Sequence, residues 1–180
     1  MQAHIFSEDS NTTAEEPDLS VKEYYEGLFG IVARLDTEIR EFAETHLHVL
    51  SEDYGVLSGD EILSDIRENR RVPVGEEKMV STAQVELRRA AATADVIVIL
   101  LSTDMFRATV TPVWDELVDE SKSESIWCLS ASRSALDEID VSRLEAKGCS
   151  VLTYRRVGVA RIGTETRTEL LETVKHSTDQ

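Results

Sequence analysis

Residues 94–102, A-D-V-I-V-I-L-L-S, decide the fold. Val96–Leu101 is apolar without a break and rich in β-branched residues. A strand exposed on one side alternates in polarity. A strand apolar throughout is covered on both faces, as in the centre of a parallel sheet. Parallel neighbours are joined by crossovers, usually helices. The flanking sequence supplies them. Residues 76–94 put Met79, Ala83, Leu87, Ala90 and Ala94 on one helical face. Thr111-Pro112, an N-cap with proline at the first helical position, opens a helix carrying Val113, Trp114, Leu117 and Val118.

The same alternation runs outward to both ends. Strands are predicted at Ala3–Phe6, Leu47–Leu50, Ile126–Leu129 and Ser150–Tyr154, with residues 155–162 continuing the last or forming a sixth. A polar, acidic loop covers 7–19. The capping box Ser20-Val21-Lys22-Glu23 opens a long helix whose apolar face runs from Val21 through Tyr24, Leu28, Val32, Leu35 and Ile39 to Phe42. A second capping box, Ser58-Gly59-Asp60-Glu61, predicts a short helix to Arg67, before a linker at 70–75 broken by Pro73. Ser134 and Ser142 each begin a short helical piece, Gly148 ends the second, and a last helix spans 166–176. The fold class is α/β: a three-layer sandwich with a mostly parallel sheet of about five strands, Rossmann-like or flavodoxin-like in the broad sense. No internal repeat or boundary divides the chain, so residues 1–180 are read as a single α/β domain whose strand order stays open.

Charge is the second signal. Acidic residues number 35 against 19 basic ones, a net charge of −16, and the basic residues are 14 arginines and 5 lysines. Acid-rich, lysine-poor surfaces suit a cytoplasm full of salt, where carboxylates hold hydration and their repulsion is screened. The composition is read as that of a salt-adapted, halophilic protein, in which acidity reports habitat rather than partners. Cys128 and Cys149 fall in or beside apolar strands and read as reduced core residues. The N-terminus lacks a basic segment followed by an apolar one, and no apolar run is long enough to span a bilayer. A cytoplasmic protein without membrane contact is expected.

Function would sit where strands end, because ligands of open α/β sheets bind beyond the carboxyl ends of the strands. The stretch H-L-H-V-L-S-E-D-Y-G-V-L-S-G-D-E at 46–61 is a strand that stops at Ser51 and breaks into a polar turn. Three other strands also run into serine, at Ser7, Ser102 and Ser130. They bring Glu8, Asp9, Ser10, Glu52, Asp53, Tyr54, Gly55, Thr103, Asp104, Ser132 and Arg133 to the same edge. The candidate ligand-binding set is Ser7, Asp9, Ser51, Asp53, Tyr54, Gly55 and Ser102. The plainer reading is that such residues cap the helices that follow. There is no G-x-G-x-x-G after the first strand, no P-loop and no G-x-S-x-G elbow, so no catalytic set or cofactor is assigned. His46 and His48 alternate near a strand's start, away from the proposed pocket, and no metal role is assigned. Residues 142–163 hold Arg143, Lys147, Arg155, Arg156 and Arg161 against only Glu145. Of these, Arg155, Arg156 and Arg161 are candidate contacts for an anion or a partner; the plainer reading pairs them with surface acids.

V-L-S-E-D-Y-G-V-L-S-G-D-E at 49–61 resembles the signature I-L-S-A-K-Y-G-L-L-x-P-D-E. That signature marks a group of uncharacterised bacterial and archaeal proteins distantly similar to the peroxide-stress protein YaaA. The first strand ending in serine, the Tyr25-to-Phe29 helix start and A-D-V-I-V-I-L-L-S follow the same order. The resemblance covers residues 4–62 and 94–106, and its specific core is Leu-Ser-x-x-Tyr-Gly. It implies nucleic-acid or nucleobase handling. Where the family has S-C-x-K-T-K this chain has Ser7-Glu8-Asp9-Ser10, Asp53 replaces the basic residue before Tyr-Gly, and Val72-Pro73-Val74 replaces a Pro-Tyr pair. These departures remove positive charge from both loops. Two readings follow: a protein, enzyme or not, that binds a small polar ligand such as a nucleotide or nucleobase, and a non-catalytic interaction protein, a homo-oligomer or accessory subunit. Nucleic-acid binding is left open.

Overall fold

A computed structural model describes every residue except Pro17, Arg71 and Val159. The expected loop at 7–19, linker at 70–75 and continuation at 155–162 each contain one of these three, which lie outside the described residues. Six strands form one sheet: β1 (Gln2–Glu8), β2 (Glu44–Ser51), β3 (Gly55–Ser58), β4 (Val96–Leu100), β5 (Ile126–Ala131) and β6 (Ser150–Arg155), in the order β3-β2-β1-β4-β5-β6. All neighbours are parallel except β2 and β3. With β3 set aside, the parallel strands stand second, first, third, fourth, fifth, the flavodoxin-like order. The run that decided the fold is indeed central and buried on both faces.

Two apolar layers flank the sheet. Ile5, Val49, Val98, Cys128 and Leu152 face helices α1 (Val21–Tyr24), α2 (Phe29–Ile39), α3 (Leu63–Asn69) and α9 (Thr164–Thr178). Phe6, Leu50, Ile97, Ile99, Trp127 and Leu129 face α4 (Glu76–Thr93), α5 (Thr103–Thr109), α6 (Trp114–Glu120), α7 (Arg133–Asp137) and α8 (Ser142–Glu145). Alternate residues of each strand thus serve opposite layers, as the pleat requires.

Three local differences from the sequence reading have identifiable causes. The long helix expected from Val21 to Phe42 is broken after one turn. Residues 25–28 are drawn off by the loop after β1: Thr13 and Tyr25 form an antiparallel bridge, and the Ala14 N–H donates to the Tyr24 carbonyl at 2.8 Å. The turn ends at the extended Tyr25, and Gly27 takes φ +65°, a left-handed conformation, within the break. The helix expected at Ser58 is instead the hairpin strand β3, the sixth strand, while residues 156–162 add none among those described. Glu61 reaches back to the Ser58 N–H at 3.2 Å, so half of the capping box forms, but around a turn. Residues 59–63 bond across to 19–22, and α3 begins only at Leu63. Lastly, α5 follows β4 at once, where the apolar periodicity of the sequence marks no helix. Thr111-Pro112 belongs to a 3-10 turn, Thr111–Val113, that leads into α6.

Candidate functional site

From β1 the chain steps to β2 and β3 on one side of the sheet, then crosses back to β4 on the other side of β1. This is the topological switch point, where the loops after neighbouring strands diverge and leave a crevice. A cleft of about 310 Å³ lies there. Its wall is Glu8 at the end of β1, Asp9 and Asn11 after it, and Glu52 and Asp53 from the β2–β3 turn; its floor is Met105 of α5 with the nearly buried Leu50 and Met79 of α4.

The residues singled out from the sequence divide in two. Asp9 and Asp53 line the cleft. The others shape its frame. Ser51 is 1% exposed, and its Oγ accepts the Tyr54 N–H at 3.3 Å, closing the turn. Gly55 takes φ +86° where that turn re-enters the sheet. The Tyr54 hydroxyl accepts from Arg67 Nε at 3.0 Å, and Arg67 also donates to the Tyr24 hydroxyl at 2.8 Å. Ser102 is the N-cap of α5, accepting the Met105 N–H at 3.4 Å, and its own N–H donates to the Glu8 carboxylate. Ser102→Ala is expected to cost about 1 kcal/mol in chemical denaturation, the ordinary value of such a cap.

Ser7 and Ser130 are fully buried. Both are tied to Arg161. The Arg161 guanidinium donates to Ser7 Oγ and to the Glu8 and Asp9 carbonyls, each at 2.8 Å, and Ser130 Oγ donates to the Arg161 carbonyl. The basic segment therefore does not act as one patch. Arg143 pairs with Asp115 and Asp119 at 2.8 and 2.7 Å, and Lys147 donates to the carbonyls of Val118, Asp119 and Ser121. Arg155 is exposed, and Arg156 Nε donates to the Ala160 carbonyl at 3.1 Å.

Electrostatics set the character of the cleft. Burial raises the Asp9 carboxyl to about pKa 6, with the Glu8 and Asp53 charges adding to the rise and the Ser51 hydroxyl and Arg161 opposing it. Burial likewise pushes the phenol of Tyr25 upward, helped by the Asp9 charge. Burial draws Arg161 downward. Among the described residues, none of the side chains lining the cleft is basic. Asn11, Met79 and Met105 had no sequence signal, because nothing in a single chain pairs a residue of α4 or α5 with a loop after β1. Tyr25 stood in the family pattern only as a helix start.

His48 lies within β2, stacked on Phe6 and on His4. Among the described residues no group of three or more His, Cys, Asp and Glu side chains is arranged to hold a metal ion. Cys128 and Cys149 are free and buried, and burial lifts the Cys128 thiol to about pKa 12, far from a reactive thiolate.

No protein-family model matches the chain, and no curated protein is detected as a relative. Among solved structures, an azoreductase from Bacillus anthracis strain Sterne is similar at 17% identity and a TM-score of 0.38, over 99% of each chain. A likeness at that level carries no activity across. Among the described residues no helix is long and apolar enough to cross a membrane.

Proposed function

We propose that this protein binds a small polar ligand of the nucleobase or nucleoside kind in the cleft beyond the carboxyl ends of β1 and β2. The observation that carries the reading is the pairing of an apolar floor, Leu50, Met79 and Met105, with a carboxylate wall, Glu8, Asp9, Glu52 and Asp53. A flat ring lies on the floor, and its amino groups donate to the carboxylates. Phosphate meets repulsion from the same wall, so the base rather than the phosphate of a nucleotide is the recognised part. Ser51, Tyr54 and Gly55 hold the turn that presents Asp53. The net charge of −16 is taken as adaptation to a salt-rich cytoplasm, where stability rises with KCl as carboxylate repulsion is screened.

Thermal shift in molar KCl tests this reading, with adenine, guanine, cytosine, their nucleosides and the monophosphates as probes. A base at about a hundred times its dissociation constant adds roughly 2.7 kcal/mol. The expected result is a shift with bases and nucleosides, smaller with monophosphates, and lost in Asp53→Asn. A folded protein that no base or nucleoside shifts, or that responds only to phosphates, overturns it.

A further inference from the structure

Away from the cleft, three histidines meet on the α4 side of β1 and β2, His4 and His48 half-buried and His46 exposed. His4 of β1 stands in register with His46 of β2, and Phe6 with His48. His4 Nδ1 and His48 Nε2 are 2.8 Å apart, with the rings stacked at 5.1 Å. The His46 ring lies 4.8 Å from that of His4, and Phe6 stacks on His48 at 4.5 Å. At 2.8 Å one nitrogen donates and the other accepts, so the pair accommodates neutral rings or one shared charge. With both rings protonated, N–H faces N–H and the contact is lost.

The charged neighbours relieve this only in part: the Glu44 charge favours a protonated His4, but less than burial and the His46 charge oppose it. Glu44 on β2 is 3.5 Å from His46 Nε2, on the far side of the stack from His48. Arg89 of α4 faces His48 with like charge and is itself paired with Glu86 at 3.1 Å. On the other side of β1, β4 brings only Val96–Leu100, and β3 brings Ser58 opposite His48.

We propose that the His4–His46–His48 stack is an acid-sensitive clasp that fastens β2 to β1 at neutral pH and releases the β2–β3 edge when it is protonated. Burial supports this by lowering His4 to about pKa 4 and His48 to about 3, with the neighbouring histidines adding to both shifts. The folded state thus refuses protons that an opened edge accepts from pH 6.5 downward, so acid favours opening. The Ser51–Gly55 turn leaves with β2, and the cleft loses one wall. The clasp does not depend on what the cleft binds.

Amide hydrogen exchange of the full chain, corrected for intrinsic rates, tests it between about pH 7 and pH 4.5. Protection of residues 44–58 is expected to fall at least about tenfold more than that of β5. His4→Gln with His48→Gln should abolish the difference. Should that pair fail to fold, an NMR titration of the wild-type imidazoles decides instead: His4 and His48 should stay neutral until protection of β2 is lost. Equal loss in β2 and β5, an unchanged β2, an excess that persists in the double variant, or protonation of both rings with β2 still protected would falsify the clasp.

Discussion

Arg161→Ala is expected to destabilise the protein by about 3–4 kcal/mol, the largest effect of any single change at this edge. The guanidinium satisfies three acceptors at 2.8 Å: Ser7 Oγ and the carbonyls of Glu8 and Asp9. Ser7 is fully buried, so water cannot replace the lost donor there without rearrangement. Alanine also removes a cation lying 5.7 Å from the centre of the Phe29 ring. The backbone of the same residue is held by Ser130, so Arg161 straps β5 to β1 across the end of β4. Lysine keeps the charge but has no planar fork with which to reach three acceptors. Arg161→Lys should therefore recover only part of the loss. Urea denaturation of the three proteins measures this. A loss below about 1 kcal/mol for alanine would mean that the strap is solvated and contributes little.

The fold was legible because burial on both faces leaves an unmistakable mark. Val96–Leu101 could only be a central strand, and the flanking periodicities supplied its crossovers. What escaped were elements decided by partners distant in sequence. The Tyr25–Leu28 break depends on the loop at 12–14, and the delayed start of α3 depends on residues 19–22. Strand β3 was hidden because Gly55–Ser58 is short and follows a turn that reads equally as the approach to a helix. The frame of the candidate site was legible in outline. The strand-serine pattern pointed to the edge where the candidate cleft lies, and the serines form its frame: Ser51 closes a turn, Ser102 caps α5, and Ser7 and Ser130 meet Arg161. The cleft itself is lined by the carboxylates beside them. Arg161 illustrates the limit. By sequence it belonged to a basic segment facing solvent, and only the topology brings it across to β1.

Asp9→Asn is expected to stabilise the protein by about 1–2 kcal/mol near pH 8, a gain from altering a residue of the candidate site. The Asp9 carboxyl sits at about pKa 6 in the folded state against an ordinary 3.8, because burial and the Glu8 and Asp53 charges penalise its ionised form. A carboxyl whose folded pKa is raised binds its proton more tightly when folded. It therefore costs stability above pH 6, and that cost fades as pH falls from 6 to 3.8. Solvent reaches the half-buried group, so the effect is set below the full linkage value. Asparagine keeps the shape and cannot ionise. The difference between variant and wild type should be greatest near pH 8 and vanish below pH 3.8. The depressed histidines act with the opposite sign over the same range, since His4 and His48 cost stability as pH falls below 6.5. In the wild type the two trends partly cancel between pH 6 and pH 4. In Asp9→Asn only the histidine trend remains, so its stability should fall more steeply with acid. Denaturant midpoints across this range in constant KCl measure both slopes. A variant that tracks the wild type at every pH would mean that Asp9 is ionised without penalty, and that the cleft holds no stored repulsion for a ligand's amino groups to relieve.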